Sequence, residues 1–175
     1  MIADRVQKLN VSGIRKVFDL AKKLENPINF SIGQPHFPVP ERVKQASIEA
    51  IQADHNSYTP TQGITPLIEA IEFHNNERSL KYEDLIVTSG VSGGLFLAFS
   101  TLLNPGDEVL ITDPYFLMYK QLANFLDAQS KYIETYPHFK CTAEVLEPHI
   151  TSKSKVHVLN TPGNPTGVEI NKKEI

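Results

Sequence analysis

The 175-residue sequence has no tryptophan, only one cysteine and no surplus of cations. Each shortage excludes something. With 17 Lys plus Arg against 20 Asp plus Glu, the formal charge is -3, which excludes a generally basic nucleic-acid binder because neutralising phosphates needs excess cations. Cys141 has no second thiol to pair with, so a reducing, cytoplasmic compartment is expected. No apolar run approaches the roughly 20 residues of a membrane helix, and the opening MIADRVQKLN lacks a secretory apolar stretch. The six histidines are scattered without ligand spacing, so no metal is expected. No Ser, His and Asp set can be assembled from spacing either. A hydrophobic content of 41% suits a packed domain and argues against wholesale disorder.

What is present is an alternation of two patterns. Val6, Leu9, Val17, Leu20 and Leu24 recur at helical spacing, which predicts a helix over 1–24 interrupted at Gly13. INFSIG (28–33) reads as a short strand. GQPHFPVP (33–40) reads as extended loop, because its prolines remove amide donors and fix φ. Helices are predicted over 41–52 and from 65 or 66 to about 77, around the polar bend DHNSYTPTQG (54–63). Strands LIVTS (85–89), EVLIT (108–112), KYIET (131–135) and KVHVLN (155–160) then alternate with helices over 93–103, 116–126 and 142–150. Such spacing predicts an α/β fold, a mostly parallel sheet flanked by helices on both faces. The α/β region starts near residue 42; the first forty residues read as an arm plus a piece of something else.

In parallel sheets, ligands gather at the carboxyl ends of strands. VTSGVSGGLF (87–96) places Ser89, Gly90, Ser92, Gly93 and Gly94 where a strand meets a helix. Free first-turn amides and the helix dipole make an anion site there, unless the glycines serve only tight packing. Asp113 follows about 20 residues later, the spacing of a ribose-binding acid. However, the glycines run G-x-x-G-G, and Tyr115 and Phe116 crowd the place of the ribose. Both features disfavour nicotinamide or flavin. In DPYFLMY (113–119), Tyr115, Phe116 or Tyr119 offers a flat face to an aromatic ligand, or simply fills the core. In LNTPGNPTG (159–167), Asn160 and Asn164 either donate to an oxyanion or form turns on their own backbone.

Taken together, SIGQPHFPVP (31–40), YTPTQGITPLIEAI (58–71), VTSGVSGGL (87–95), LNPGDEVLITDPYFLMY (103–119) and NTPGNPTG (160–167) resemble the class I/II aminotransferases, pyridoxal-phosphate enzymes of fold type I. The strings stand in the family's order and at its separations. The resemblance implies that Gly90, Val91 and Ser92 hold the phosphate of pyridoxal 5'-phosphate, Phe116 stacks on its ring, and Asn164 bonds its phenolic oxygen. It implies that Tyr58 reaches the phosphate of a neighbouring subunit, hence a homodimer, and that Gly33 lies near the substrate carboxylate. The implied substrates are an amino acid and a 2-oxo acid, with no nucleic acid or membrane partner.

The family's cofactor-linking lysine, pyridinium aspartate and carboxylate-binding arginine lie beyond the Asn-Pro-Thr-Gly loop. None is assigned here, so no catalytic residue is expected within the chain and the lysine is expected beyond Ile175. The expectation is a truncated, inactive amino-terminal portion: residues 1–41 an arm and part of a small domain, residues 42–175 the first half of the cofactor-binding large domain. Two other readings are a β-lyase of the same fold and a non-catalytic module for phosphate-bearing ligands.

Overall fold

The computed structural model describes residues 2–9, 20–21, 24–26, 28, 33, 35–172 and 174. They divide into two compact units, Ile14–Thr88 and Met1–Gly13 with Ser89–Ile175.

In the latter unit, α1 (Asp4–Gln7) is followed by a turn and bend at Lys8 and Leu9. The continuous helix expected over 1–24 is therefore broken there; Leu20 and Ala21 are helical, and 10–19 lie outside the described residues. The unit continues with α4 (Gly90–Leu102), β1 (Glu108–Asp113), α5 (Leu117–Phe125), β2 (Gln129–Glu134), α6 (Ala143–Leu146), a 3-10 turn (Glu147–His149) and β3 (Ser154–Val158). The helix expected over 142–150 thus tightens near Pro148, whose ring cannot follow an α-helical turn.

The sheet is parallel, ordered β2-β1-β3. Its central strand has the apolar sequence that burial on both faces demands. Successive side chains of a strand point to opposite faces, and β1 feeds two separate cores in this way. Val109 and Ile111 join Phe99 of α4 and Tyr119, Leu122 and Ala123 of α5. The i, i+3, i+4 spacing of the α5 residues makes one helical stripe. Leu110 points the other way, to Ile133, Cys141, Val145 and Leu146. α1 is tied to the end of α5 by the Lys8–Asp127 ion pair and by Arg5, 5.4 Å from the Phe125 ring centroid.

The unit Ile14–Thr88 contains α2 (Glu41–Gln52) and α3 (Thr65–Glu77), the latter with Pro66 in its first turn, where a missing amide costs nothing. No residue of either helix is buried. Gly63 has φ +130, and a Cβ there would stand 2.8 Å from Val87 Cγ2. The Val87 N–H donates to the Gln62 carbonyl at 2.7 Å.

Residues 85–89, expected as a strand, are not one. A strand needs a ladder partner. Here the Val87 amide goes to a loop carbonyl and the Leu85 amide to the Asp84 carboxylate at 2.8 Å. The strand expected over 28–33 lies mostly outside the described residues; its described ends, Ile28 and Gly33, are not in a strand.

Candidate functional site

The chain passes from one side of β1 to the other between β2 and β3, so the loops leaving β1 and β3 diverge at the carboxyl edge of the sheet. That is where parallel sheets open a crevice. A hollow of about 20 Å³ lies there, with Tyr115, Tyr119, Thr135, Asn160, Asn164 and Thr166 among its walls. That volume is about the size of one water and is too small for a heterocycle.

Local chemistry fixes each wall. Asp113 ends β1, and its carbonyl accepts from both the Thr135 amide (3.3 Å) and the Thr135 hydroxyl (2.7 Å). Tyr115 stacks on Tyr132 of β2, with centroids 5.1 Å apart and planes at 15°. Burial pushes the Tyr115 hydroxyl up to about 12, helped by the Tyr132 hydroxyl and the Asp113 charge. Burial raises Tyr119 as well. Both therefore remain neutral hydrogen-bond donors at physiological pH. Phe116 caps α5 and meets Tyr119 edge-on, at 5.8 Å and 82°.

After β3, the Asn160 side chain accepts the Asn164 amide at 2.8 Å. Asn160 is thus a turn former bonding its own loop. The Asn164 side chain is exposed and makes no hydrogen bond among the described residues. Cys141, also in the wall of the hollow, has its Sγ 4.0 Å from His157 Nε2. Burial raises the thiol and lowers the imidazole.

Gly90, Val91 and Ser92 form the amino end of α4, away from the hollow's walls. Gly90 has φ +68, and a Cβ there would meet nothing within 4 Å. Val91 is 79% exposed, and Ser92 is exposed. The expected site residues therefore divide: Asn164 lines the hollow, while Phe116 and Gly90–Ser92 do not. Tyr58, 107% exposed, and Gly33, with nothing within 4 Å of a built Cβ, belong to the other unit.

Sequence reasoning missed Tyr132 and Thr135. The available signal was strand alternation, which sends Tyr132 to the face opposite Ile133. Among the described residues, no group of three or more His, Cys, Asp or Glu could hold a metal ion, and no helix is long and apolar enough to cross a membrane.

A parallel sheet flanked by helices, with glycine-rich, aromatic and Asn-Pro-Thr-Gly loops, defines an α/β protein. The model of the family "Aminotransferase class I and II" matches residues 25–175, and the chain belongs to that family. It is 34% identical over 180 residues to a probable N-acetyl-LL-diaminopimelate aminotransferase of Bacillus subtilis, covering 100% of this chain and 46% of that protein. It is 36% identical over 177 residues to an aspartate aminotransferase of Pyrococcus horikoshii, covering 98% and 45%. The aspartate aminotransferase structure from Rhizobium meliloti superposes with a TM-score of 0.92 at 33% identity, covering 99% of this chain and 46% of that one. The chain spans about half the length of the curated relatives it matches.

Proposed function

We propose that this chain supplies the cofactor-binding portion of a pyridoxal-phosphate-dependent aminotransferase that moves an amino group between an amino acid and a 2-oxo acid. The observation that carries the reading is the family match over residues 25–175, which includes every proposed cofactor contact. Pyridoxal phosphate, when bound, supplies an electron sink for the carbanion at an amino acid's Cα.

The residues present fit that group. A thirteen-residue helix that starts at Gly90, where a built Cβ would meet nothing within 4 Å, followed by an exposed Ser92, suits a phosphate, which a helix amino end and its dipole attract. Of the three candidate aromatics, Tyr115 already stacks on Tyr132 and Tyr119 is only 9% exposed. Phe116 is half-buried against the α4–α5 core, but its one ring pairing among the described residues is edge-on to Tyr119, which leaves it the aromatic best placed to offer a face. The Asn164 side-chain amide, without a hydrogen bond among the described residues, suits a ring oxygen. Phe116 and Asn164 would hold the ring, which the small hollow itself has no room to admit.

Full exposure of Tyr58 supports its reaching a second subunit in a homodimer. Gly33 would approach the substrate carboxylate. In this reading, residues 1–41 contribute the arm and part of a small domain, 42–175 the first half of the large one, and the whole protein works in the cytoplasm. No residue of these 175 is assigned the role of linking lysine, pyridinium aspartate or carboxylate-binding arginine, so in this reading they bind but do not turn over.

Titration of the chain with pyridoxal phosphate tests this. Saturable binding is expected, with Ser92→Ala and Phe116→Ala each raising Kd about three- to tenfold, and with no oxo-acid product from added amino acid. Binding indifferent to both substitutions, or sustained turnover, would sink the reading.

A further inference from the structure

The Asp113–Phe116 turn is held by two separate devices, one in β2 and one in the residue just after it. Thr135 donates twice to the Asp113 carbonyl. Tyr132, in register with Ile111, stacks nearly parallel on Tyr115, and Lys120 Nζ lies over the Tyr132 ring at 5.7 Å from its centroid. Phe116 follows directly, with a T-shaped contact to buried Tyr119 on its far side. The turn's last residue is thus set by the ring before it and the ring one helical turn after it. Tyr132 is 40% exposed, so its ring does not serve to fill a core; the partner that gives it a fixed place is Tyr115. A one-carbon stem from a rigid strand, ending in a flat face, is a stiff strut, because aromatic side chains have few torsions and offset stacking fixes relative orientation.

We propose that Tyr132 is a positioning residue which, by stacking on Tyr115, fixes the Asp113–Phe116 turn so that Phe116 presents its ring face to a flat heterocyclic ligand. This rests on the pyridoxal-phosphate reading above and adds to it a residue that never touches the cofactor.

The Tyr119 amide donates to the Phe116 carbonyl at 3.2 Å and reports on the turn. The Leu126 amide, bonded within the same helix to Leu122 at 3.1 Å, is the control. Hydrogen exchange is measured on the full chain, with pyridoxal phosphate titrated in parallel. In Tyr132→Ala, exchange at Tyr119 is expected to quicken about three- to tenfold while Leu126 stays unchanged, and the cofactor Kd to rise by a similar factor. Tyr132→Phe, which keeps the ring, is expected to restore both.

Unchanged exchange at Tyr119 overturns the proposal whatever the cofactor does. Equal quickening at Leu126 also overturns it, since the effect is then general loosening. Quickened Tyr119 with an unchanged Kd overturns the link to the ring face. If the native chain binds no pyridoxal phosphate while Tyr119 alone responds, the strut stands and the cofactor reading falls.

Discussion

The Glu108 carboxylate accepts a 2.7 Å hydrogen bond from the Thr151 hydroxyl, joining the first residue of the central strand to the turn that enters β3. Ser154 of β3 donates to the same oxygen at 3.4 Å, and Lys131 of β2 lies 3.4 Å from the other oxygen. One side chain therefore touches all three strands at the amino end of the sheet. The Thr151 hydroxyl, chiefly, holds the carboxyl below its ordinary value near 4.5, with Lys131 adding to the effect against burial.

A carboxyl depressed in the folded state stabilises the fold above its unfolded value, and that stability is lost as pH falls through the folded one. Glu108→Gln is expected to lower the thermal midpoint at neutral pH by about 2–6 °C and to flatten the acid limb of the stability curve. Calorimetry from about pH 7 down to about pH 3 reads both. An acid limb identical to the native one would refute the lock.

Gly63 gives a second test. Its φ of +130 and the 2.8 Å approach of Val87 Cγ2 oppose any side chain for two different reasons. Gly63→Ala is expected to destabilise the chain by roughly 1–3 kcal/mol in urea unfolding. Adding Val87→Ala should recover only the steric part. Full recovery would mean that the backbone conformation costs nothing.

Cys141 and His157 set a pH window distinct from that of Glu108. Burial lowers His157, so its contribution is present above the ordinary histidine value of 6.5 and is lost as pH falls below it. Burial raises Cys141, so its contribution holds below the ordinary thiol value of 9.0 and is lost as pH rises past it. His157→Phe is expected to remove the slope just below pH 6.5. The thiol, 6% exposed, should react with a disulfide reagent at least about tenfold more slowly in the native chain than in denaturant. Equal rates would show that the second core is open.

Asn160 tests the loop after β3. Asn160→Ala removes the acceptor of the Asn164 amide and is expected to cost about 0.5–1.5 kcal/mol, with faster exchange at Asn164. Asn160→Asp keeps the acceptor and should keep the protection. If both variants exchange alike, the bond does not shape the loop.

Much of this was legible in the sequence because local pattern and final structure agree. The apolar run in EVLIT became the central strand, and α2 and α3 begin and end as their periodicity indicates. Discrepancies arise where pairing or packing overrides local preference. Helix α4 begins at Gly90 rather than 93, since packing of Phe99 and Leu95 carries a helix through glycines that alone favour a turn. Residues 85–89 are an apolar, β-branched run like a strand, yet a sequence does not display its ladder partner. Asn160 and Asn164 looked equivalent in NTPGNPTG; only coordinates separate the one that bonds its loop from the one left exposed. Tyr132 carried no signal beyond its place in an alternating strand, because its significance lies in a ring seventeen positions earlier.

The two cores on opposite sides of β1 share no side chain. Volume lost at Ile111 is therefore felt by α4 and α5, and volume lost at Ile133 by the thiol side. Descendants of this sequence are free to drift on one side without compensating on the other, so the layer beneath the aromatic loop can be conserved while its reverse is rewritten.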